Sequence, residues 1–185
     1  MDKSLVRKKV LEKRNSLPAE DRRRYSEYIT DSLLKLPAIL EADVVLSYAP
    51  YGSEVDISGI KHENMYLPVV TDATVSRMEF YKVNEETHLK SGYKGIMEPV
   101  GNVCFEPVGF LGKIAVILPG VAFDRKGNRI GYGKGFYDKY LTRLKENNCK
   151  VTKIAVAFNV QLLDEITADI HDIPYDYLVS ENAVY

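Results

Sequence analysis

The stretch from Ile114 to Leu141 reads IAVILPGVAFDRKGNRIGYGKGFYDKYL, and its pattern passes from an apolar strand to a loop and then to a helix. The loop has glycine at positions 131, 133 and 135, with Arg129 and Lys134 beside them. Glycine lacks a Cβ, so the backbone N–H groups of such a loop can approach a ligand closely. A helix N-terminus adds further N–H donors and attracts anions. The pattern therefore predicts a pocket for the phosphates of a nucleotide.

Neither of the two common phosphate-binding motifs is present in this loop. A Walker A loop has serine or threonine after Gly-Lys, but Gly135 follows Lys134 here. The dinucleotide fingerprint needs glycine where this chain has Phe136 and Asp138. A glycine-rich turn with solvated cations is the alternative interpretation. Asp138 favours the phosphate interpretation, because Mg²⁺ usually binds one or two carboxylates together with phosphate oxygens.

Helical and strand patterns occur together along the rest of the chain. Residues 3–15 predict a basic helix, and Pro18 followed by Glu20 is typical of the start of a second helix. We predict further helical segments at 55–63, 134–145 and 160–165, and strands at 44–48, 65–70, 77–82, 114–118, 154–158 and 177–180. The segment 84–112 has little periodicity and predicts long loops.

This arrangement indicates one α/β layered domain spanning residues 1–185. Ligands of open α/β sheets bind beyond the carboxyl ends of the strands. Since the glycine-rich loop lies downstream of the strand 114–118, the binding cleft is predicted there.

The composition excludes some classes of protein and leaves others open. The net charge of −1 gives no global reason to expect nucleic-acid or membrane binding, although the N-terminal segment is locally basic. The sequence shows no secretory signal and no apolar run of membrane-spanning length, which predicts a cytoplasmic protein. Cys104 and Cys149 lack the spacing of a metal site and are interpreted as free thiols.

The segment from Phe123 to Asp138 resembles the signature of the 5-formyltetrahydrofolate cyclo-ligase family. The family pattern continues as G-x-R-hydrophobic-G-x-G-x-G-Y-Y-D, and this chain departs from it only at Phe136, where the family usually has tyrosine. Further similarity lies in the basic N-terminal helix and in the segments 48–56, 95–99 and 173–176. The resemblance covers essentially the whole chain. It implies a three-layer αβα fold with a mixed, largely parallel sheet, similar to the ribose-phosphate isomerase and CoA-transferase group.

The resemblance also implies an activity. It is the ATP- and Mg²⁺-dependent cyclisation of 5-formyltetrahydrofolate to 5,10-methenyltetrahydrofolate, through a phosphorylated formyl group, with release of ADP and phosphate. The implied partners are a reduced folate and ATP, and the chain is expected to be a monomer. A paralogue with the same nucleotide pocket, or a non-catalytic nucleotide sensor, remains an alternative.

Site residues follow from matching the family positions one by one. The implied ATP-binding residues are Lys3, Arg7, Arg129, Ile130, Gly131, Tyr132, Gly133, Lys134, Gly135, Phe136 and Tyr137. Among these, the catalytic group is Arg129, Lys134 and Tyr137. The implied folate-binding residues are Ala49, Glu54, Tyr132, Gly133, Lys134, Gly135 and Phe136. The implied metal ligands are Asp138 and Asp176.

Three of these assignments have open alternatives. Lys8 is a rival to Arg7, and the N-terminal cations could equally form a solvated basic face. Asp176 could be a loop-capping residue instead of a ligand. Glu54 could be an exposed loop residue, whereas in the folate interpretation its carboxylate accepts two adjacent N–H donors of a pterin.

Overall fold

A six-stranded sheet lies at the centre of the structure, a computed structural model that describes residues 2–101 and 103–185. The helices are α1 (Lys3–Ser16), α2 (Ala19–Leu34), α3 (Pro37–Leu40) and α4 (Phe136–Glu146). The strands are β1 (Val44–Leu46), β2 (Met65–Asp72), β3 (Arg77–Val83), β4 (Leu89–Ser91), β5 (Met97–Pro99), β6 (Lys113–Leu118), β7 (Ala122–Asp124), β8 (Arg129–Ile130), β9 (Lys150–Val156), β10 (Leu162–Leu163) and β11 (Tyr177–Val179). Single 3₁₀ turns occupy Tyr93–Gly95 and Asn159–Gln161.

The central sheet is mixed and largely parallel. Its strand order is β11-β9-β6-β1-β2-β3, and β3 pairs with β2 in the antiparallel direction while the other neighbours are parallel. Two smaller sheets, β10-β7-β8 and β4-β5, lie beside it. The parallel strands place their carboxyl ends at one edge, in agreement with the largely parallel sheet that the resemblance implied.

Helices cover both faces of the sheet. Successive residues of a strand point to opposite faces. Val45 accordingly belongs to an apolar cluster with Ile29 of α2, whereas its neighbour Leu46 belongs to a second cluster with Leu144 of α4. All four side chains are fully buried. The three-layer αβα arrangement is therefore confirmed.

Two of the shorter predicted helical segments are wrong. Residues 55–63 form turns, in which the Asp56 carboxylate accepts a hydrogen bond from the backbone N–H of Ser58 at 3.0 Å. Such a local bond competes with helical pairing. In the segment 160–165, the 3₁₀ turn leads directly into β10, which pairs with β7. The segment 84–112, predicted as loops, also contains the antiparallel pair β4-β5.

One face of α1 is turned toward the rest of the molecule. The Asp2 carboxylate caps this helix by accepting from the N–H groups of Ser4 and Leu5. Val10 and Arg14 are buried, and both lie on the face that also carries Arg7. Among the described residues, helices with the length and apolar character needed to cross a bilayer do not occur.

Candidate functional site

A cavity of about 380 Å³ lies beyond the carboxyl ends of β1 and β6. Tyr48 and Ala49, which follow β1, and Pro119, which follows β6, contribute to its lining. Cavities of this size hold small molecules. The position agrees with the cleft predicted from the order of strands and glycine-rich loop.

The glycine-rich loop and the start of α4 form one wall of this cavity. Gly133 and Gly135 have φ angles of +92° and +69°, a region that residues with a Cβ rarely adopt. Gly135 is the N-cap of α4, and no side chain caps the helix there. The first N–H groups of α4 are consequently donors without side-chain partners, which suits an anion. Lys134 is exposed and lines the same wall.

Arg129 and Asp138 form an ion pair in this wall. Nη2 of Arg129 donates to Oδ1 of Asp138 at 2.7 Å, and the guanidinium lies 5.9 Å from the centroid of the Tyr137 ring. Arg129 is buried, and its Nε has no hydrogen-bond partner among the described residues. The pair uses one oxygen of Asp138, so the second oxygen can bind a metal ion.

The described residues contain no group of three or more His, Cys, Asp or Glu side chains that could hold a metal on their own. Mg²⁺ does not require such a group, because it typically keeps water and takes phosphate oxygens beside one or two carboxylates. Asp138 therefore fits a metal that arrives with a nucleotide.

Glu54 also lines the cavity and contacts the glycine-rich loop through Tyr132. Its Oε1 accepts from the Tyr132 hydroxyl at 2.5 Å, and its Oε2 accepts from the backbone N–H of Tyr51 at 2.9 Å. Burial raises the pKa of Glu54 above its ordinary value, while the bonds from Tyr132 and Tyr51 and the charge of Arg14 act against that rise. Each carboxylate oxygen keeps acceptor capacity for a ligand.

Arg14 does not line the cavity, but it contacts Tyr132, which does, and the sequence interpretation gave it no role. Its guanidinium donates to the Ser53 hydroxyl at 2.9 Å, to the carbonyl of Gly120 at 3.3 Å and to the Tyr132 hydroxyl at 3.0 Å. The available signal was spacing, since Arg14 lies seven residues after Arg7 and therefore on the same face of α1.

The predicted N-terminal cations lie behind the loop and do not line the cavity. Nε of Arg7 donates to the carbonyl of Gly131 at 2.7 Å. The ammonium of Lys3 binds the carboxylates of Asp169 and Asp172, at 2.7 Å each. Burial lowers the pKa of Lys3, but these two carboxylates outweigh it and the net shift is upward.

Three other predicted residues are also absent from the lining. Ile130 is buried with Val10 in an apolar cluster, and Gly133 faces the guanidinium of Arg7. Oδ2 of Asp176 accepts from the backbone N–H of Lys153 at 2.7 Å, and the Lys153 ammonium lies 3.0 Å from the same oxygen. The structure thus brings Asp138 to the cavity and does not bring Asp176 there.

Ten predicted residues do meet at the cavity. They are Ala49, Glu54, Arg129, Gly131, Tyr132, Lys134, Gly135, Phe136, Tyr137 and Asp138. The wall facing the loop contains residues to which the sequence analysis assigned no site role, namely Pro68, Val70, Met78, Tyr93, Lys94, Ile96 and Glu98. Glu98 is buried and its Oε1 accepts from the N–H groups of Val70 and Tyr93 at 3.1 and 3.2 Å, so it holds this wall together.

The fold and this cavity define an α/β enzyme whose site presents helix N–H donors and cations beside a carboxylate. The model of the 5-formyltetrahydrofolate cyclo-ligase family matches residues 1–181, and the chain belongs to this family. The resemblance found in the sequence is therefore confirmed.

Several known proteins are similar to this chain. The 5-formyltetrahydrofolate cyclo-ligase of Haemophilus influenzae is 28% identical over 182 residues, which cover 94% of this chain and 95% of that protein. A probable 5-formyltetrahydrofolate cyclo-ligase of Schizosaccharomyces pombe is 32% identical over 139 residues, covering 70% and 67% of the two chains. The NMR structure of Aquifex aeolicus 5,10-methenyltetrahydrofolate synthetase is 38% identical, with a TM-score of 0.83 and coverage of 100% and 92%.

Proposed function

We propose that this protein converts 5-formyltetrahydrofolate to 5,10-methenyltetrahydrofolate, with ATP as the phosphoryl donor and Mg²⁺ as the accompanying metal. The observation that carries the proposal is the bond between Tyr132 and Glu54. Tyr132 belongs to the glycine-rich loop, so this bond places a loop suited to phosphate directly beside a carboxylate suited to the N–H edge of a pterin. A reaction between ATP and a folate needs these two features in one cavity.

The proposed chemistry activates a poor leaving group. Transfer of the γ-phosphoryl group to the formyl oxygen makes that oxygen part of a phosphate. The anilino nitrogen then attacks the formyl carbon and loses its proton, and phosphate leaves with the oxygen. Phosphoryl transfer depends mainly on positioning and on stabilising negative charge.

The nucleotide side of the cavity supplies these requirements. The N–H donors at the start of α4 and the exposed Lys134 bind the phosphates. Arg129 is held in place by Asp138 and adds a buried positive charge under the loop. Asp138 would hold Mg²⁺ through its second oxygen, and the bound metal would neutralise phosphate charge. Lys3 and Arg7 act from behind the loop in this proposal, Arg7 by fixing the carbonyl of Gly131.

The folate side combines one carboxylate with aromatic and apolar walls. Glu54 accepts two adjacent N–H groups of the pterin, while Tyr51, Ile96 and Phe136 line the surrounding surface. The Phe136 ring packs edge-on against Tyr93 at 5.7 Å, a contact that needs no hydroxyl. The departure from the family tyrosine at this position therefore keeps the wall intact.

The two alternative functions make different demands on this cavity. A nucleotide sensor would need the glycine-rich loop but not Glu54, and a paralogue acting on another small molecule would need a different group in place of Glu54.

The deciding experiment mixes purified protein with Mg-ATP and 5-formyltetrahydrofolate and follows the absorbance of the methenyl product. Reactions without ATP and without metal are the controls. The expected result is product formation only in the complete mixture. A protein that binds ATP and forms no product under these conditions would contradict the proposal.

A further inference from the structure

Arg14 joins three separate segments of the chain at the edge of the cavity. Its Nε contacts Ser53 in the loop that carries Glu54, its Nη1 contacts Gly120 after β6, and its Nη2 contacts Tyr132 in the glycine-rich loop. The residue is only 4% exposed. A buried guanidinium that serves three segments at once is too costly to be an incidental contact.

The chemistry of arginine fixes the direction of the hydrogen bonds beyond it. A guanidinium only donates and does not lose its proton. The Tyr132 oxygen must therefore accept from Arg14, and its single hydroxyl proton is left for Oε1 of Glu54. Arg14 therefore donates to Tyr132, and Tyr132 donates to Glu54. Glu54 is the final acceptor in this series of hydrogen bonds.

We propose that Arg14 is a positioning residue for the folate: through Tyr132 and Ser53 it holds the Glu54 carboxylate oriented and ready to accept the N–H groups of the pterin. This inference rests on the proposed function. It assigns Arg14 no contact with the substrate and no part in the chemical step.

Electrostatics support the same role. Burial raises the pKa of Glu54, and Tyr132, Tyr51 and Arg14 oppose that rise. The other titratable groups coupled to Glu54 are the phenols of Tyr48, Tyr132 and Tyr137, whose pKa values burial raises above the ordinary range. Glu54 is consequently the carboxyl group of this set, and its pKa lies above the ordinary value for glutamate. Loss of Arg14 should raise its pKa further, so any loss of the carboxylate form should be larger at pH 6 than at pH 8.

The test compares Arg14→Met and Tyr132→Phe with wild-type protein by calorimetry, using 5-formyltetrahydrofolate and ATP as separate titrants at pH 6 and pH 8. Arg22→Met is the matched control, because Arg22 is a half-buried arginine that donates to the carbonyl of Leu17 and lies on α2. For Arg14→Met we expect folate affinity to fall by at least about tenfold at pH 6 and by clearly less at pH 8. ATP affinity should change by less than about twofold, and Arg22→Met should resemble wild type.

The double variant asks whether Arg14 acts through Tyr132. If it does, the double variant Arg14→Met, Tyr132→Phe should have a folate affinity no lower than that of whichever single variant binds folate more weakly. The reason is that both substitutions interrupt the same series of hydrogen bonds. Equal weakening of folate and ATP at both pH values would show a purely structural role and overturn the inference. Fully additive losses would also overturn it.

Tyr132→Phe keeps the inference testable if Arg14→Met does not fold, since Tyr132 is 48% exposed. The same pH-dependent loss of folate affinity is expected, and unchanged folate affinity would overturn the inference. A wild-type protein without turnover would count against the proposed function itself. Wild-type turnover together with an unaffected Arg14→Met would count only against the role of Arg14.

Discussion

One wall of the cavity comes from the single stretch 129–138, whereas the facing wall collects side chains from β2, β3 and the segment 93–98. We call these the continuous wall and the assembled wall. The continuous wall depends on local conformation, above all on the positive φ angles of Gly133 and Gly135 and on the start of α4. The assembled wall depends on the packing of distant segments, including the buried Glu98 that ties Val70 to Tyr93. Variants of Lys134 and Asp138 in the first should therefore affect the nucleotide, whereas variants of Glu54 and of Tyr132, which donates to it, should affect the folate.

The largest effect is expected for Asp138→Asn in the continuous wall. The substitution keeps the shape of the side chain, removes the charge offered to Mg²⁺, and weakens the partner of the buried Arg129. We expect turnover to fall by at least about 100-fold, or about 2.7 kcal/mol of transition-state stabilisation. A titration of the rate with Mg²⁺ measures this. Unchanged turnover with an unchanged Mg²⁺ midpoint would eliminate Asp138 as a ligand.

Lys134→Ala is the next variant in order of effect. Loss of one charge-assisted contact to phosphate costs about 1.5–3 kcal/mol, which corresponds to roughly one to two decades in ATP affinity. Folate affinity should remain close to that of wild type, since Lys134 is proposed to contact the phosphates of ATP. Lys139→Ala is the matched control, because this exposed lysine of α4 donates to the carbonyl of Val75 and does not line the cavity. A variant that raised only the folate KM would place Lys134 on the other side of the site.

Glu54→Gln should produce a smaller effect, confined to folate. An amide replaces one acceptor oxygen and turns a donor toward the donors of the pterin, so we expect folate affinity to fall about tenfold, or about 1.4 kcal/mol. ATP affinity should barely change. Calorimetry with both ligands measures the difference, and Glu63→Gln, at an exposed position outside the cavity, is the control. Equal loss for ATP and folate would contradict the assignment of Glu54 to the folate.

The pH dependence of folate binding sharpens the assignment of Glu54. Burial holds the pKa of Glu54 above its ordinary value, so protonation begins at a higher pH than for an exposed glutamate. Folate affinity is therefore expected to be complete well above that raised pKa and to fall as the pH drops through it. This step should be absent in Glu54→Gln. Binding curves measured between pH 5 and pH 8 test this, and an identical step in the variant would assign the titration to another group.

Asp176→Asn should have the smallest effect. Asp176 is paired with Lys153 at a side-chain exposure of 41%, and such exposed pairs contribute about 1 kcal/mol or less. We expect the Mg²⁺ midpoint to change by less than about twofold and the free energy of unfolding to fall by no more than about 1 kcal/mol. A shift of the Mg²⁺ midpoint as large as that caused by Asp138→Asn would show that Asp176 is a metal ligand after all.

The sequence predicted the continuous wall because its determinants are local. Glycines at fixed spacing, the cations beside them and an aspartate at the start of a helix all lie within ten residues of one another. Arg14 and Glu98 were missed because their roles depend on partners far away in the chain, such as Gly120 for Arg14 and Val70 for Glu98. The same reason explains why the sequence did not predict the ion pairs of Lys3, since its carboxylate partners lie more than 160 residues later.

The wrong helical prediction at 55–63 has a different cause. Ile57 and Ile60 are three residues apart and both are buried, which matches one face of a helix. The chain instead makes a turn at Ser58, held by Asp56, and buries both isoleucines from irregular backbone. The spacing of these apolar residues correctly indicated that both are buried, but it did not determine the conformation of the backbone between them.

The helix α1 has a consequence for how the length of this chain can vary. Arg7 fixes the glycine-rich loop and Arg14 fixes the loop of Glu54, and seven residues at about 1.5 Å each hold these two attachment points roughly 10 Å apart. One inserted residue between them would turn the following part of the helix by about 100° and point Arg14 away from Tyr132. Arg7 would keep its bond to Gly131. A residue gained or lost between Arg7 and Arg14 would therefore break the connection that α1 makes between the glycine-rich loop and the loop of Glu54. The exposed face of the same helix makes neither connection and is free to vary in sequence.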